Sequence, residues 1–130
     1  MPTGLTADAG WQIGVSRTLP HPPDVVWDYL TGPAGLACWL GSGAEPAPEP
    51  GAPYRTDTGV TGEIRSYRPG DRIRLTYGPT TVQVALTAAT GDRTRLRFHQ
   101  ERMSSPGQRE QQRAYWQQVM DRIDAALGAG

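Results

Sequence analysis

Residues 22–41, PPDVVWDYLTGPAGLACWLG, are the most informative stretch of this 130-residue chain, because they contain two short apolar helices separated by helix breakers. The prolines at the start suit a first helical turn, whose amides have no helical partner. Gly32 and Pro33 then end one helix over 24–30 and begin another over 34–40. The apolar residues at helical spacing are Val26, Trp27 and Leu30 in the first helix and Leu36, Trp39 and Leu40 in the second.

One strand precedes these helices and a loop follows them. Trp11, Ile13 and Val15 alternate with polar or small residues, as in a strand with one covered face. Residues 41–53 hold four prolines and three glycines, which predicts a loop. This loop is either a plain connector or a mobile flap over a cavity.

Several strands follow in close succession with no helix between them. Alternation of apolar and polar residues predicts strands over 52–56, 60–67, 72–77, 81–86 and 95–98, with turns at 68–71, 78–79 and 91–92. The polar positions of neighbouring strands carry arginines. The pattern indicates an antiparallel meander with one dry face and one solvated face.

The last predicted element is a long helix that begins at Ser105 and Pro106 with Gln108 completing a capping box, and ends near Gly128. Its apolar stripe is formed by Tyr115, Trp116, Val119, Met120, Ile123 and Leu127. A stripe of that length needs a broad apolar partner, so we expect this helix to lie across the dry face of the meander.

This order of elements, with these motifs, resembles the helix-grip fold of the SRPBCC superfamily, which includes START domains and polyketide cyclases. Within it, the branch related to activators of heat-shock-protein ATPase is most similar, through residues 22–41, 62–69, 95–103 (RLRFHQERM) and 115–123 (YWQQVMDRI). The resemblance implies an α+β domain over 11–128, with a curved antiparallel sheet of about six strands. Residues 1–10 are small and weakly polar, and we expect them to be flexible. Gly32 and Tyr115 depart from the pattern of the family, and the bulk of Tyr115 is expected to narrow the space between helix and sheet.

Composition limits the classes of function. The 13 basic residues balance 13 acidic ones, which argues against a nucleic-acid or anionic-membrane partner. All the basic residues are arginine, so lysine Schiff-base chemistry is excluded. Cys38 is the single cysteine, and no leader or membrane-spanning run is evident, so we expect a cytoplasmic protein. We expect no cofactor and leave a homodimer open.

No set of residues predicts catalysis or metal binding. His21 lies between prolines, and alternation in the last strand places His99 and Glu101 on the solvated face. What remains is a ligand cavity between the last helix and the sheet, mostly apolar with a few polar groups. The side chains expected to line it are Trp39, Tyr54, Ile64, Tyr77, Val84, Phe98, Gln100, Trp116 and Met120.

The leading hypothesis is therefore a non-catalytic binder of a small hydrophobic or aromatic molecule. A polyketide cyclase or aromatase, with Tyr77, Gln100 and Arg55 positioning the substrate, is the first alternative. The second is an interaction protein, either a co-chaperone-like partner of an ATPase or a ligand-sequestering resistance protein of the kind that enediyne producers use.

Overall fold

The computed structural model describes residues 5–6 and 10–129, and the side chains of residues 11–128. The expectation of a flexible amino terminus falls largely on residues 1–4 and 7–9, outside the described residues. Among the described residues, the strands are β1 Leu5–Thr6, β2 Gly10–Leu19, β3 Pro53–Arg55, β4 Thr61–Arg68, β5 Arg72–Tyr77, β6 Thr80–Ala89 and β7 Arg93–Met103. The helices are α1 Pro23–Thr31, α2 Pro33–Trp39 and α3 Pro106–Ala129.

The described strands form one antiparallel sheet in the order β1-β2-β7-β6-β5-β4-β3. The second strand, β2, therefore pairs with the last strand, β7, and the α1–α2 segment carries the chain from one side of the sheet to the other. This arrangement confirms the predicted α+β helix-grip fold. The two-residue β1 adds a strand to the six expected, and it is too short to carry a readable alternation.

The two short helices pack closely on each other. Gly35 lies so near the backbone of Tyr29 that a Cβ atom has no room there. The indole nitrogen of Trp39 donates a hydrogen bond of 2.9 Å to the carbonyl of Leu30, which ties α2 to α1. Trp27 of α1 meets Tyr67 of β4 edge to face at 5.7 Å.

The long helix α3 spans 24 residues, or about 36 Å. Its capping residue is Ser105, whose hydroxyl accepts a hydrogen bond of 3.0 Å from the amide of Gln108. The helix packs against β2, β7 and α2. Arg17 of β2 forms an ion pair of 2.8 Å with Asp121 of α3 at the solvent-exposed edge of the contact between β2 and α3.

The 41–53 segment packs against the core over part of its length. Ala44 and Ala52 are buried, and the amide of Gly51 donates a hydrogen bond of 2.7 Å to the carbonyl of Ile64. These anchors favour the connector hypothesis over the mobile flap.

Candidate functional site

The nine side chains predicted to face inward all lie on the helix side of the sheet. Eight of them are buried, and Tyr77 is half-buried. Phe98 stacks on Trp116 with ring centroids 4.5 Å apart, and Trp39 packs against Phe98 with centroids 6.0 Å apart and the rings tilted by 41°. Aromatic rings thus fill the middle of the helix–sheet interface, where the sequence predicts a cavity.

Gln100 is the polar centre of this interface, and its amide is held within the protein. Its Oε1 accepts hydrogen bonds from the indole nitrogen of Trp116 at 2.9 Å and from Nε2 of Gln112 at 2.8 Å. Its Nε2 donates to the hydroxyl of Thr80 at 3.0 Å. A buried amide with these three partners does not need a ligand to satisfy it.

Two tyrosines are also held by protein groups. The Tyr54 hydroxyl donates a hydrogen bond of 2.6 Å to the carbonyl of Thr76, and the Tyr115 hydroxyl donates one of 2.9 Å to the carbonyl of Trp39. Tyr115 therefore lies at the junction of α2 and α3. Trp116, not Tyr115, fills the gap between α3 and the sheet, because adjacent residues of a helix point about 100° apart.

A cavity on the helix side of the sheet lies at one end of the interface between α3 and the sheet. It is bounded by the β5–β6 hairpin, the start of β4 and the first turns of α3. We call it the helix-side cavity; its volume is about 160 Å³. Its walls are formed by Val60, Tyr77, Gly78, Pro79, Thr80, Gln100, Gln108 and Gln112. Tyr77 and Gln100 are the predicted residues that it brings together.

Tyr77 is the polar group of this cavity that is least committed to the fold. Within the described residues its hydroxyl has no hydrogen-bond partner, unlike those of Tyr54 and Tyr115. The pKa of Tyr115 is raised to about 12, mainly by burial and to a smaller extent by the neighbouring Tyr77 and Cys38, while Arg122 opposes the shift. Burial also raises the pKa of Tyr54 well above its usual range, with a further contribution from Tyr77. The hydroxyls of Tyr54 and Tyr115 are therefore neutral donors near neutral pH.

A second space of about 30 Å³ lies between α2 and the sheet, and includes Trp39 and Ile64 among its lining residues. This volume holds about a single water molecule. Trp39 and Ile64 accordingly act as core at this position.

Arg55, His99 and Glu101 lie apart from the helix-side cavity. Arg55 is exposed on β3, because alternation places its side chain on the other face of the sheet from that of Tyr54. It therefore does not reach the cavity lined by Tyr77 and Gln100. His99 lies on the solvated face and bonds the side-chain oxygen of Gln12 at 2.8 Å. Burial is the main cause that lowers the pKa of His99; Arg97 and Arg74 lower it further and Glu101 opposes them. Glu101 is paired with Arg74.

Sequence reasoning missed the polar wall that α3 contributes. Gln108 and Gln112 precede Trp116 by eight and four residues, so all three share one face of the helix. That spacing was available as a signal. This spacing does not by itself indicate a cavity wall, because glutamine at the start of a long helix is usually solvent-exposed.

Two further observations concern the described residues only. They contain no group of three or more histidine, cysteine, aspartate or glutamate side chains arranged to hold a metal ion. None of their helices combines the length and apolarity that crossing a bilayer requires.

The fold is shared with several solved structures. DynU16, a protein of the dynemicin biosynthetic locus, is 26% identical with a TM-score of 0.76; the match covers 90% of this chain and 47% of DynU16, so the chain spans about half the length of that protein. MLL2253 from Mesorhizobium loti is 25% identical with a TM-score of 0.70, covering 91% of this chain and 97% of that one. PFC0360w, an HSP90 activator from Plasmodium falciparum, is 19% identical with a TM-score of 0.74, covering 90% and 96%. A comparison with curated proteins finds no match.

The family profile described as Activator of Hsp90 ATPase homolog 1-like protein matches residues 20–128, from the end of β2 almost to the end of α3. The match includes both short helices, the meander and the long helix that carry the resemblance in the sequence. The chain therefore belongs to the family of Activator of Hsp90 ATPase homolog 1-like proteins.

Proposed function

We propose that this protein binds a small aromatic or hydrophobic molecule in the helix-side cavity, with the Tyr77 hydroxyl orienting it. The observation that carries this proposal is a cavity of about 160 Å³ in which a half-buried tyrosine has a hydroxyl without a partner in the described residues. Family and fold fit a ligand-binding helix-grip protein. Arg55, His99 and Glu101 lie elsewhere, which favours binding over turnover.

The volume of the helix-side cavity limits the size of the ligand that it can hold. A cavity of about 150 Å³ accommodates one benzene ring, whereas drug-sized ligands occupy pockets of roughly 300–1,000 Å³. The helix-side cavity therefore suits a single-ring molecule with one polar substituent. Val60 and Pro79 supply apolar walls, and Gln108 and Tyr77 supply polar groups near the rim.

Titration with phenol and toluene by isothermal calorimetry tests this proposal. We expect phenol to bind more tightly than toluene, because its hydroxyl pairs with Tyr77 and one hydrogen bond contributes about 0.5–1.5 kcal/mol. Tyr77→Phe should abolish the preference for phenol and leave toluene binding nearly unchanged. Val60→Trp should prevent both ligands from binding, because the indole fills the cavity.

Tyr67→Phe is the matched control, since Tyr67 is also half-buried but lines the small space near α2. It should bind phenol like the wild type. Equal phenol affinity in the wild type, Tyr77→Phe and Val60→Trp would show that the ring binds elsewhere and would overturn the proposal.

A second candidate is a role in the metabolism of a natural product, as a binding protein or as a cyclase-type enzyme. Similarity to DynU16 at 26% identity, a protein of the dynemicin biosynthetic locus, favours it. A co-chaperone role rests on the family description alone. Binding of a multi-ring metabolite, with or without turnover, would distinguish the second candidate from the first, since such a ligand exceeds the helix-side cavity.

A further inference from the structure

Strand β7 carries a bulge close to its carboxyl end. Between the pairs Trp11–Met103 and Ile13–Gln100, β2 advances by two residues and β7 by three. Arg102, within this bulge, has a φ of 68°, in the left-handed region that favours glycine. The residue that would adopt this conformation without strain is glycine, yet the position holds a long cationic side chain.

Because of the bulge, the side chain of Arg102 lines a cavity on the solvated side of the β5–β6 hairpin. We call it the outer cavity; its volume is about 270 Å³. Arg65 and Arg74 line it together with Arg102, and the hairpin closes one end. Bulges commonly re-aim a side chain at the edge of a site, and strain of this kind concentrates at functional positions.

The charges and hydroxyls of the outer cavity favour an anion. Arg65 pairs with Glu63 at 2.9 Å and Arg74 pairs with Glu101, whereas Arg102 has no ion pair within the described residues. The three arginines and two glutamates leave one uncompensated positive charge. Thr76 and Thr81 add hydroxyls to the wall. The Thr81 hydroxyl has no hydrogen-bond partner in the part of the chain that the structure describes.

We propose that the outer cavity, with Arg102 and Arg74 as its principal cations, binds the oxyanion group of a small phosphorylated or carboxylated molecule. Guanidinium groups suit such groups because their fork of donors matches two oxygens at once. The Thr81 hydroxyl lies on the same wall and donates a further hydrogen bond. The hairpin residues Gly78 and Pro79 border both cavities, so the outer cavity is a separate site on the other side of one turn.

Titration of the full chain with inorganic phosphate or acetate, each at constant ionic strength maintained with chloride, tests the site. The readout is the Nε–Hε resonances of Arg102 and Arg74 in two-dimensional NMR, which report contact with an oxyanion. We expect saturable shifts for at least one of the two anions. Tighter phosphate binding identifies a phosphorylated ligand, and tighter acetate binding identifies a carboxylate.

Two matched substitutions separate a site from general electrostatics. Arg102→Gln should weaken binding at least about 5-fold. Arg95→Gln makes the same chemical change on the same face but outside the cavity, where Arg95 contacts the Ser16 hydroxyl at 3.2 Å, and should change affinity less than about 2-fold. Arg102→Gly should lose binding while raising the melting temperature, because glycine adopts the left-handed conformation freely.

Non-saturable shifts for both anions, or equal losses for Arg102→Gln and Arg95→Gln, would overturn the assignment. A melting temperature of Arg102→Gly at or below the wild type would show that the bulge holds arginine without strain. That result would remove the reason to assign Arg102 a ligand. These measurements are independent of phenol binding at the helix-side cavity, so each proposal stands or fails separately.

Discussion

Replacement of Gln100 by methionine tests whether the helix–sheet interface is held by a polar centre or only by apolar packing. Gln100 is 2% exposed, and its amide joins β7 to α3 through Trp116 and Gln112 and to β6 through Thr80. Methionine keeps the unbranched shape and removes both polar atoms. The substitution thus creates little cavity and isolates the effect of the hydrogen bonds.

Most of the expected loss of stability in Gln100→Met comes from Trp116. Its indole N–H is buried beside Phe98 and loses its acceptor, which costs about 1–3 kcal/mol. Gln112 is half-exposed and turns to water, and the Thr80 hydroxyl keeps the carbonyl of Tyr77 as an acceptor at 2.7 Å. We therefore expect Gln100→Met to lower the free energy of unfolding by about 2 kcal/mol, which lowers the melting temperature of a domain of this size by about 8 °C.

Urea denaturation followed by tryptophan fluorescence measures this change, and a double-mutant cycle assigns it to the indole. Trp116→Phe keeps a ring against Phe98 but removes the N–H donor. In that background Gln100→Met should cost about 1 kcal/mol less than in the wild type, because no donor is left without an acceptor. A cost of Gln100→Met near zero, or equal costs in the two backgrounds, would refute the reasoning.

Further outcomes follow from single positions. Gly62→Ala should lower stability by about 2–3 kcal/mol in the same urea assay, because a Cβ there collides with the carbonyl of Thr76, whereas Gly128→Ala, with open space around its Cβ, should be neutral or stabilising by up to about 1 kcal/mol. Ser105→Ala should cost about 1 kcal/mol by removing the cap of α3, and unchanged stability would show that the cap contributes nothing. Burial raises the folded-state pKa of Tyr115 to about 12, above its usual value near 10, so its contribution to stability is complete below pH 10 and is lost as the pH rises toward 12. Tyr115→Phe should therefore show a shallower loss of stability between pH 10 and 12 than the wild type, and an identical pH profile would contradict the shift.

Apart from β1, the elements of the fold were predictable from the local pattern of their residues. The α1–α2 pair and the stripe of α3 follow helical spacing, and β5 to β7 alternate over most of their length. The bulge at Arg102 was not predictable, because one extra residue in a strand leaves the apolar pattern before it intact. Its presence follows from pairing with β2, about ninety residues earlier in the chain.

The inward-facing residues were also predictable, but the cavity was not. Alternation places Phe98 and Gln100 on the dry face, yet it does not say which side chains meet there. Trp116 lies 16 residues beyond Gln100, and only the three-dimensional packing brings its indole onto the amide. For the same reason Gln100 looked like a free polar group in the sequence and is a satisfied one in the fold.

The distribution of buried residues along α3 determines how a larger ligand could enter. Trp116 is the first fully buried residue of the helix, and residues 106–115 before it are half-buried or exposed. Lifting the later turns would expose Trp116, Val119, Met120 and Ile123 at about 1.5–3 kcal/mol each, together roughly 6–12 kcal/mol. That cost equals the binding free energy of a micromolar to nanomolar ligand, so binding would hardly offset it. Fraying of residues 106–114 exposes no buried side chain of α3, leaves the hydrogen bond between Tyr115 and Trp39 in place, and widens the helix-side cavity at Gln108 and Gln112. Any ligand larger than one ring should therefore enter through these first turns, while the aromatic stack behind them stays closed.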